Sequence, residues 1–242
     1  MGGENEAATR ANAASALAWW LEAGVDAAVQ EAPRDWLKPS PAPVAAAPAL
    51  QIKSHAAPVS GESMPETLDL FRDWLGSAQS LPFATPRAPR VLPTGGESAP
   101  VMLLAEMPGP EDAAAGLPIA GDAWVLTERM LAAIRIDAAA AYCASLSCFH
   151  TPAAQVSGGE LEACAVIARR HIALAKPKRL LLLGDAPAKA LLGKPLASAR
   201  GHIHQVEGIR TVATFHPRNL LARPSFKEQA WRDLLLLMED EA

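Results

Sequence analysis

Two residues of this chain stand where chemistry could be done. Glu106 follows directly on the apolar run 101–105, and His216 follows on the run 211–215. A short apolar run reads as a buried strand, and in an open α/β sheet ligands bind outside the carboxyl ends of the strands. A carboxylate there can orient a water or stabilise a developing cation. An imidazole can donate a hydrogen bond to an oxygen that gains charge. Leaving two strand ends together, the pair predicts one shared cleft.

The elements that must hold this pair are legible as an alternation. Runs 101–105, 141–146, 180–183 and 211–215 are strand-like. Helical patterns lie at 122–135, 159–175, 185–192 and 225–240, and a further helix begins near Glu66 with Leu68, Leu70, Phe71 and Leu75. Strands alternating with helices imply βαβ units and a mainly parallel sheet. Runs that are apolar on both faces fit a sheet covered on both sides. The expected fold is therefore α/β, a three-layer α/β/α domain around a four-stranded, mainly parallel sheet. The strand ends would open on one rim at Glu106, Cys148, Gly184-Asp185 and His216.

Upstream the pattern changes. Residues 8–31 carry Leu17, Trp20, Leu21, Val25 and Ala28 at helical spacing, with Trp19 and Trp36 nearby. Pro39, Pro41, Pro43, Pro48 and Pro58 among Ala and Ser follow, a composition that favours an extended spacer. The expected organisation is a helical segment over 1–37, a linker over 38–64 and a domain over 65–242. The amphipathic segment has two readings: a helix that docks in a partner protein's groove, or one that folds back onto the domain.

The 242 residues carry a formal net charge of −4, so nucleic-acid contact would have to come from a local patch. No run approaches the ~18 apolar residues of a membrane span, and the polar start MGGENEAATR lacks a secretory signal's apolar centre. Cys143, Cys148 and Cys164, few and in apolar surroundings, fit a reducing, cytoplasmic setting.

The segment Glu106-Met107-Pro108-Gly109-Pro110-Glu111-Asp112, followed by Gly116-Leu117-Pro118-Ile119-Ala120-Gly121, resembles the first motif of the family 4 uracil-DNA glycosylases: G-E-A-P-G, an acidic pair, then G-x-P-F-V-G. His216-Pro217-Arg218-Asn219-Leu220-Leu221, with Ala230-Trp231-Arg232-Asp233-Leu234 behind it, is similar to their H-P-S-x-L-L and trailing A-W-x-D-L. Lys176-Pro177-Lys178 running into Leu180–Leu183 resembles the middle strand, and Arg200-Gly201 and Gly208-Ile209 fall in step.

The resemblance implies hydrolysis of the N-glycosidic bond of uracil, or a related damaged base, flipped out of single- or double-stranded DNA. Glu106 would orient water and His216 would stabilise the leaving base. Met107, Pro108, Gly109, Ile119, Ala144 and Ser145 would line the base pocket, with backbone amides at Pro108-Gly109 close to the nucleotide. Arg218, Asn219, Leu220, Leu221 and Arg223 would meet DNA, the leucines as wedge or as core, the arginines at phosphates or the minor groove. Glu111 and Asp112 read first as a helix N-terminal acid pair or as loop charges.

Three departures qualify this. Family 4 members carry four cysteines for an iron–sulfur cluster. Cys148 and Cys164 match the second pair, but 80–86 reads Ser-Leu-Pro-Phe-Ala-Thr-Pro where the first should lie, so the expectation is no cofactor and no metal. Ile119 replaces a phenylalanine that stacks on uracil; Trp124, Phe149 or Phe215 could stand in. Ala144, beside Ser145, replaces the asparagine that reads the uracil edge. These losses leave open a change of base, or a non-catalytic DNA- or protein-binding descendant of the fold.

Overall fold

The structure is a computed structural model that describes residues 64–85, 88–150 and 156–239, all within the second of the chain's two units, Lys53–Ala242. The expected N-terminal helix and most of the linker lie outside the described residues.

The leucine-rich tetrads 102–105 and 180–183 lie at the centre of the sheet. Strands β1 (Met102–Ala105), β2 (Tyr142–Ser145), β3 (Leu180–Leu183) and β5 (Ile209–Thr214) run parallel, in the order β2-β1-β3-β5. The α/β class is as expected, with one strand more: β4 (His204–Val206) pairs antiparallel with β5 at the edge. Its connection is the two-residue turn Glu207-Gly208, whose φ angles of 51° and 75° suit a tight hairpin. The opposite edge is covered, since Thr94 and Cys143 exchange backbone hydrogen bonds of 2.8 and 2.9 Å.

The α-helices among the described residues are α1 (Leu68–Ser77), α2 (Pro110–Ala115), α3 (Gly121–Ala133), α4 (Gly158–Ala175), α5 (Asp185–Leu192), α6 (Leu196–Ala199), α7 (Pro217–Ala222) and α8 (Lys227–Met238). Alternation along each strand sends Met102, Leu104, Tyr142, Ala144, Leu180 and Leu182 into one core with α1, α4, α5 and α6. Leu103, Ala105, Cys143, Leu181, Leu183 and Val212 enter a second core with α3 and α8. Every residue of β1 and β3 is buried, as covered faces demand.

One buried polar cluster crosses the first core. The Tyr142 hydroxyl lies 2.7 Å from His171 Nε2 and accepts from Arg72 Nε at 3.3 Å. Burial, with the Arg72 charge added, pushes the His171 pKa down to about 3. None of the described helices is long and apolar enough to cross a membrane.

Register decides what reaches the rim. Ala105 lies opposite both Ser145 and Leu183, and Leu183 opposite Thr214. The four parallel strands therefore release their next residues at one level.

Candidate active site

Glu106 leaves β1 and turns towards the neighbouring strand end. Its Oε1 accepts from the amide of Asp185 at 2.7 Å and of Ala186 at 3.4 Å, the free N–H groups at the start of α5. A carboxylate is favoured there by the helix dipole. Gly184 makes the approach possible: its φ is +106°, and a Cβ on it would collide with the Glu106 carboxylate.

His216 lies two residues beyond the end of β5 and caps α7. It is 1% exposed, and its Nδ1 accepts from the Arg218 amide at 3.2 Å, with Arg218 Nε at 3.4 Å from the same nitrogen. Two donors on Nδ1 place the ring proton on Nε2. Burial, then the Arg218 charge, pushes the imidazole pKa down to about 3, so the ring is neutral at physiological pH.

Asp112 is the hub between the two motifs. Its carboxylate, 1% exposed, accepts from the Gly109 amide at 2.7 Å and from the Ala120 amide at 2.8 Å. It also pairs with Arg218 Nη1 at 3.2 Å. The Arg218 guanidinium lies over Gly109, where a Cβ would meet it, and Nη2 reaches the Met107 carbonyl at 3.4 Å. From the loop after β2, His150 Nδ1 donates to the Pro108 carbonyl at 2.7 Å. Three strand ends are thus fastened around the segment 106–112. A carboxylate with one oxygen anchored and a neutral imidazole with a defined N–H stand beyond the ends of two strands that flank β3.

Residues 92–235 match the sequence profile of the Uracil DNA glycosylase superfamily. The chain belongs to that superfamily. It is 26% identical over 147 residues to a Type-4 uracil-DNA glycosylase of Pyrobaculum aerophilum, covering 56% of this chain and 75% of that protein. A second Type-4 uracil-DNA glycosylase, from Archaeoglobus fulgidus, is 25% identical over 146 residues, covering 56% of this chain and 73% of its own.

Within this superfamily member, the pocket residues expected from sequence divide. Met107 is half-buried at the Arg218 contact, and Pro108 and Gly109 are buried. The Gly109 amide is taken by Asp112 and Pro108 has none, so neither is free to approach a nucleotide; the missing side chain of Gly109 instead admits Arg218. Ile119 packs in the second core and Ala144 in the first, 2% and 1% exposed. Ser145 stands at the end of β2, and its buried Oγ has no hydrogen-bond partner among the described residues. None of the aromatic stand-ins offers a free ring: Phe149 is buried, Trp124 packs on the second core, and Phe215 stacks on Phe226 at 4.5 Å with Arg200 over it at 4.0 Å.

The residues expected on DNA divide too. Leu220 is buried, because α7 turns it inwards, whereas Leu221, Asn219 and Arg223 are exposed. Arg218 points back into the first motif rather than outwards. Asp112 and His150 are the members that sequence reading did not bring to the site. A Pro at N1 with an acid at N3 is a helix-start signal that could have marked Asp112 as a capping group, while nothing local marks His150.

The expectation of no cofactor is overturned by the match to Type-4 enzymes, whose family pattern includes an iron–sulfur cluster. Cys148 and Cys164 are the residues that would hold such a group, and they line one narrow cavity with Leu81, Pro82 and His171. Burial pushes their thiols up to about 11 and about 12. No group of three or more His, Cys, Asp or Glu suited to a metal occurs among the described residues. These two thiols supply half of a four-cysteine set, so the fit is incomplete.

Proposed function

We propose that this chain is a DNA glycosylase that hydrolyses the N-glycosidic bond of uracil, or a related damaged base, in a nucleotide flipped out of DNA. The reading is carried by one arrangement: Glu106 and His216 leave β1 and β5, on either side of β3, with Glu106 anchored by α5 and His216 held as a neutral Nε2–H donor. As the bond breaks, the sugar gains positive charge and the base negative charge. Glu106, fixed through Oε1, orients a water with its other oxygen and stabilises the sugar cation. His216 donates to a base oxygen as that oxygen gains charge. The chemistry needs no proton on Nδ1, which suits a ring that stays neutral.

The test is excision of uracil from a labelled single-stranded oligonucleotide at low salt, with abasic-site cleavage as readout. Wild type should cut, and Glu106→Ala and His216→Ala should each lose ~10²–10⁴-fold, the range for positioned acid–base and hydrogen-bonding groups. Activity indifferent to both substitutions would overturn the proposal. A second reading, a binding descendant of the fold, is favoured by the apolar replacements at Ala144 and Ile119; it predicts oligonucleotide binding without excision.

A further inference from the structure

We propose that Arg218 is part of the leaving-base machinery: it fixes His216 as the Nε2–H tautomer and sets a second, cationic N–H donor beside it, so that both meet one oxygen of the departing base. The inference rests on the glycosylase reading above. It departs from the motif this segment resembles, which has serine at this position, and from the expectation that Arg218 meets a phosphate.

Arg218 Nη2 lies 3.5 Å from His216 Nε2. With Nδ1 occupied by the Arg218 amide and near Nε, Nε2 carries hydrogen, and Nη2 is a donor in every state. Two donors lie 3.5 Å apart with no acceptor between them among the described residues. An anionic oxygen placed there would take both, whereas a cation would be repelled. Charge-assisted donors are about twice as strong as neutral ones, and the added charge matters here because Ala144 cannot offer the amide that reads the base edge.

The seat of the guanidinium is built. Asp112, buried and tied by two backbone amides, pairs with Nη1; the Met107 carbonyl accepts from Nη2; and Gly109 leaves the space that Arg218 fills. A side chain meant for an outer phosphate needs no such enclosure. Among the described residues, the charged groups on the elements packed about His216 are Arg218, in contact with the ring, Asp112 on α2, which reaches it through Arg218, Glu106 after β1, one strand removed, and the Asp233–Arg200 pair at Thr214. Of these, Arg218 is the one that bears on the imidazole's acidity after burial itself.

Two substitutions test this by different routes. Arg218→Ala removes the donor. Gly109→Ala leaves Arg218 in place but evicts its guanidinium, and Gly109 has a φ of −77° that alanine adopts without strain. In excision assays on the full chain, both should lower kcat by ~10–100-fold with KM little changed, and the double variant should lose no more than the worse single. Arg218→Lys should recover part of the loss. In ¹⁵N spectra of the imidazoles, wild type should show His216 protonated on Nε2 and uncharged down to about pH 4, and Arg218→Ala should move its titration to higher pH. A rise in KM alone, with kcat and the His216 titration unmoved, would make Arg218 a phosphate contact and overturn the inference. Wild type without excision would remove the glycosylase reading. The imidazole spectra would still decide whether Arg218 sets the state of His216.

Discussion

Glu106 and Gly184 are matched across two adjacent strands: the carboxylate occupies the volume that any side chain at 184 would need, and it thereby caps α5. One residue thus serves the helix and, in the proposed reaction, the water. The two roles separate by substitution. Glu106→Gln keeps an oxygen for the Asp185 amide, so thermal unfolding should shift by less than ~1 kcal/mol, the dipole contribution, while excision is lost. Gly184→Ala should lose excision as well, and cost stability too, since alanine at φ +106° is strained. If Glu106→Gln retained wild-type excision, the carboxylate would be a cap and no more.

Two buried histidines make the fold acid-sensitive. His171 and His216 both have native pKa values near 3 against an ordinary value of 6.5. Below pH 6.5 the unfolded chain binds protons that the native chain does not, so stability falls as pH drops towards 3. Each group contributes up to about 1.4 kcal/mol per pH unit in that window. Urea unfolding at pH 7, 6, 5 and 4 should show the fall, and His171→Phe should shallow it while losing the Tyr142 hydrogen bond. Excision, by contrast, should show no ionisation of His216 between pH 5 and 8. A bell centred on pH 6.5 that vanished in His216→Ala would contradict the neutral-imidazole mechanism.

The sheet was legible because its strands are apolar on both faces: Leu180–Leu183 begins and ends where the run of leucines does. The strand β4 was not, because His204-Gln205-Val206 is short, half-exposed and polar, as an edge strand that must not aggregate tends to be. The six-residue helices α2 and α7 are too short for a 3.6-residue period to show. Of the candidate site, the placement of Glu106 and His216 beyond the ends of β1 and β5 was legible from chain position alone. The Asp112–Arg218 pair was not: it joins positions a hundred residues apart, and its fit depends on the absent side chain of Gly109. Leu220 and Leu221, adjacent and identical in type, could be told apart only by the direction of α7.

That direction yields a sharp contrast. Leu220, 1% exposed, borders an apolar hollow with Leu126, Met130 and Leu234, whereas Leu221 is 41% exposed. Leu220→Ala should cost ~2–5 kcal/mol of stability, as for other buried leucines. Leu221→Ala should cost under ~0.5 kcal/mol and yet lower excision from duplex more than from single strands, because only a duplex has a vacated stack to fill. Equal losses on both substrates would remove Leu221 as a wedge.

Ser145 offers the last test, and it concerns which base is read. A buried hydroxyl without a partner costs free energy in the native state, and the Ser145 Oγ has none among the described residues, so Ser145→Ala should leave the unfolding midpoint unchanged or slightly raised. Were the hydroxyl only a packing group, nothing else would change. It stands beside Ala144, where the edge-reading asparagine of the resembled motif is absent, and it has a donor and an acceptor to offer. If a flipped base supplies the missing partner, Ser145→Ala should lower kcat/KM for uracil by ~10-fold, the equivalent of about 1.4 kcal/mol and within the range of one neutral hydrogen bond. Competition between uracil- and cytosine-containing oligonucleotides should then show poorer discrimination in the variant. An unchanged ratio would place base selection elsewhere on the rim.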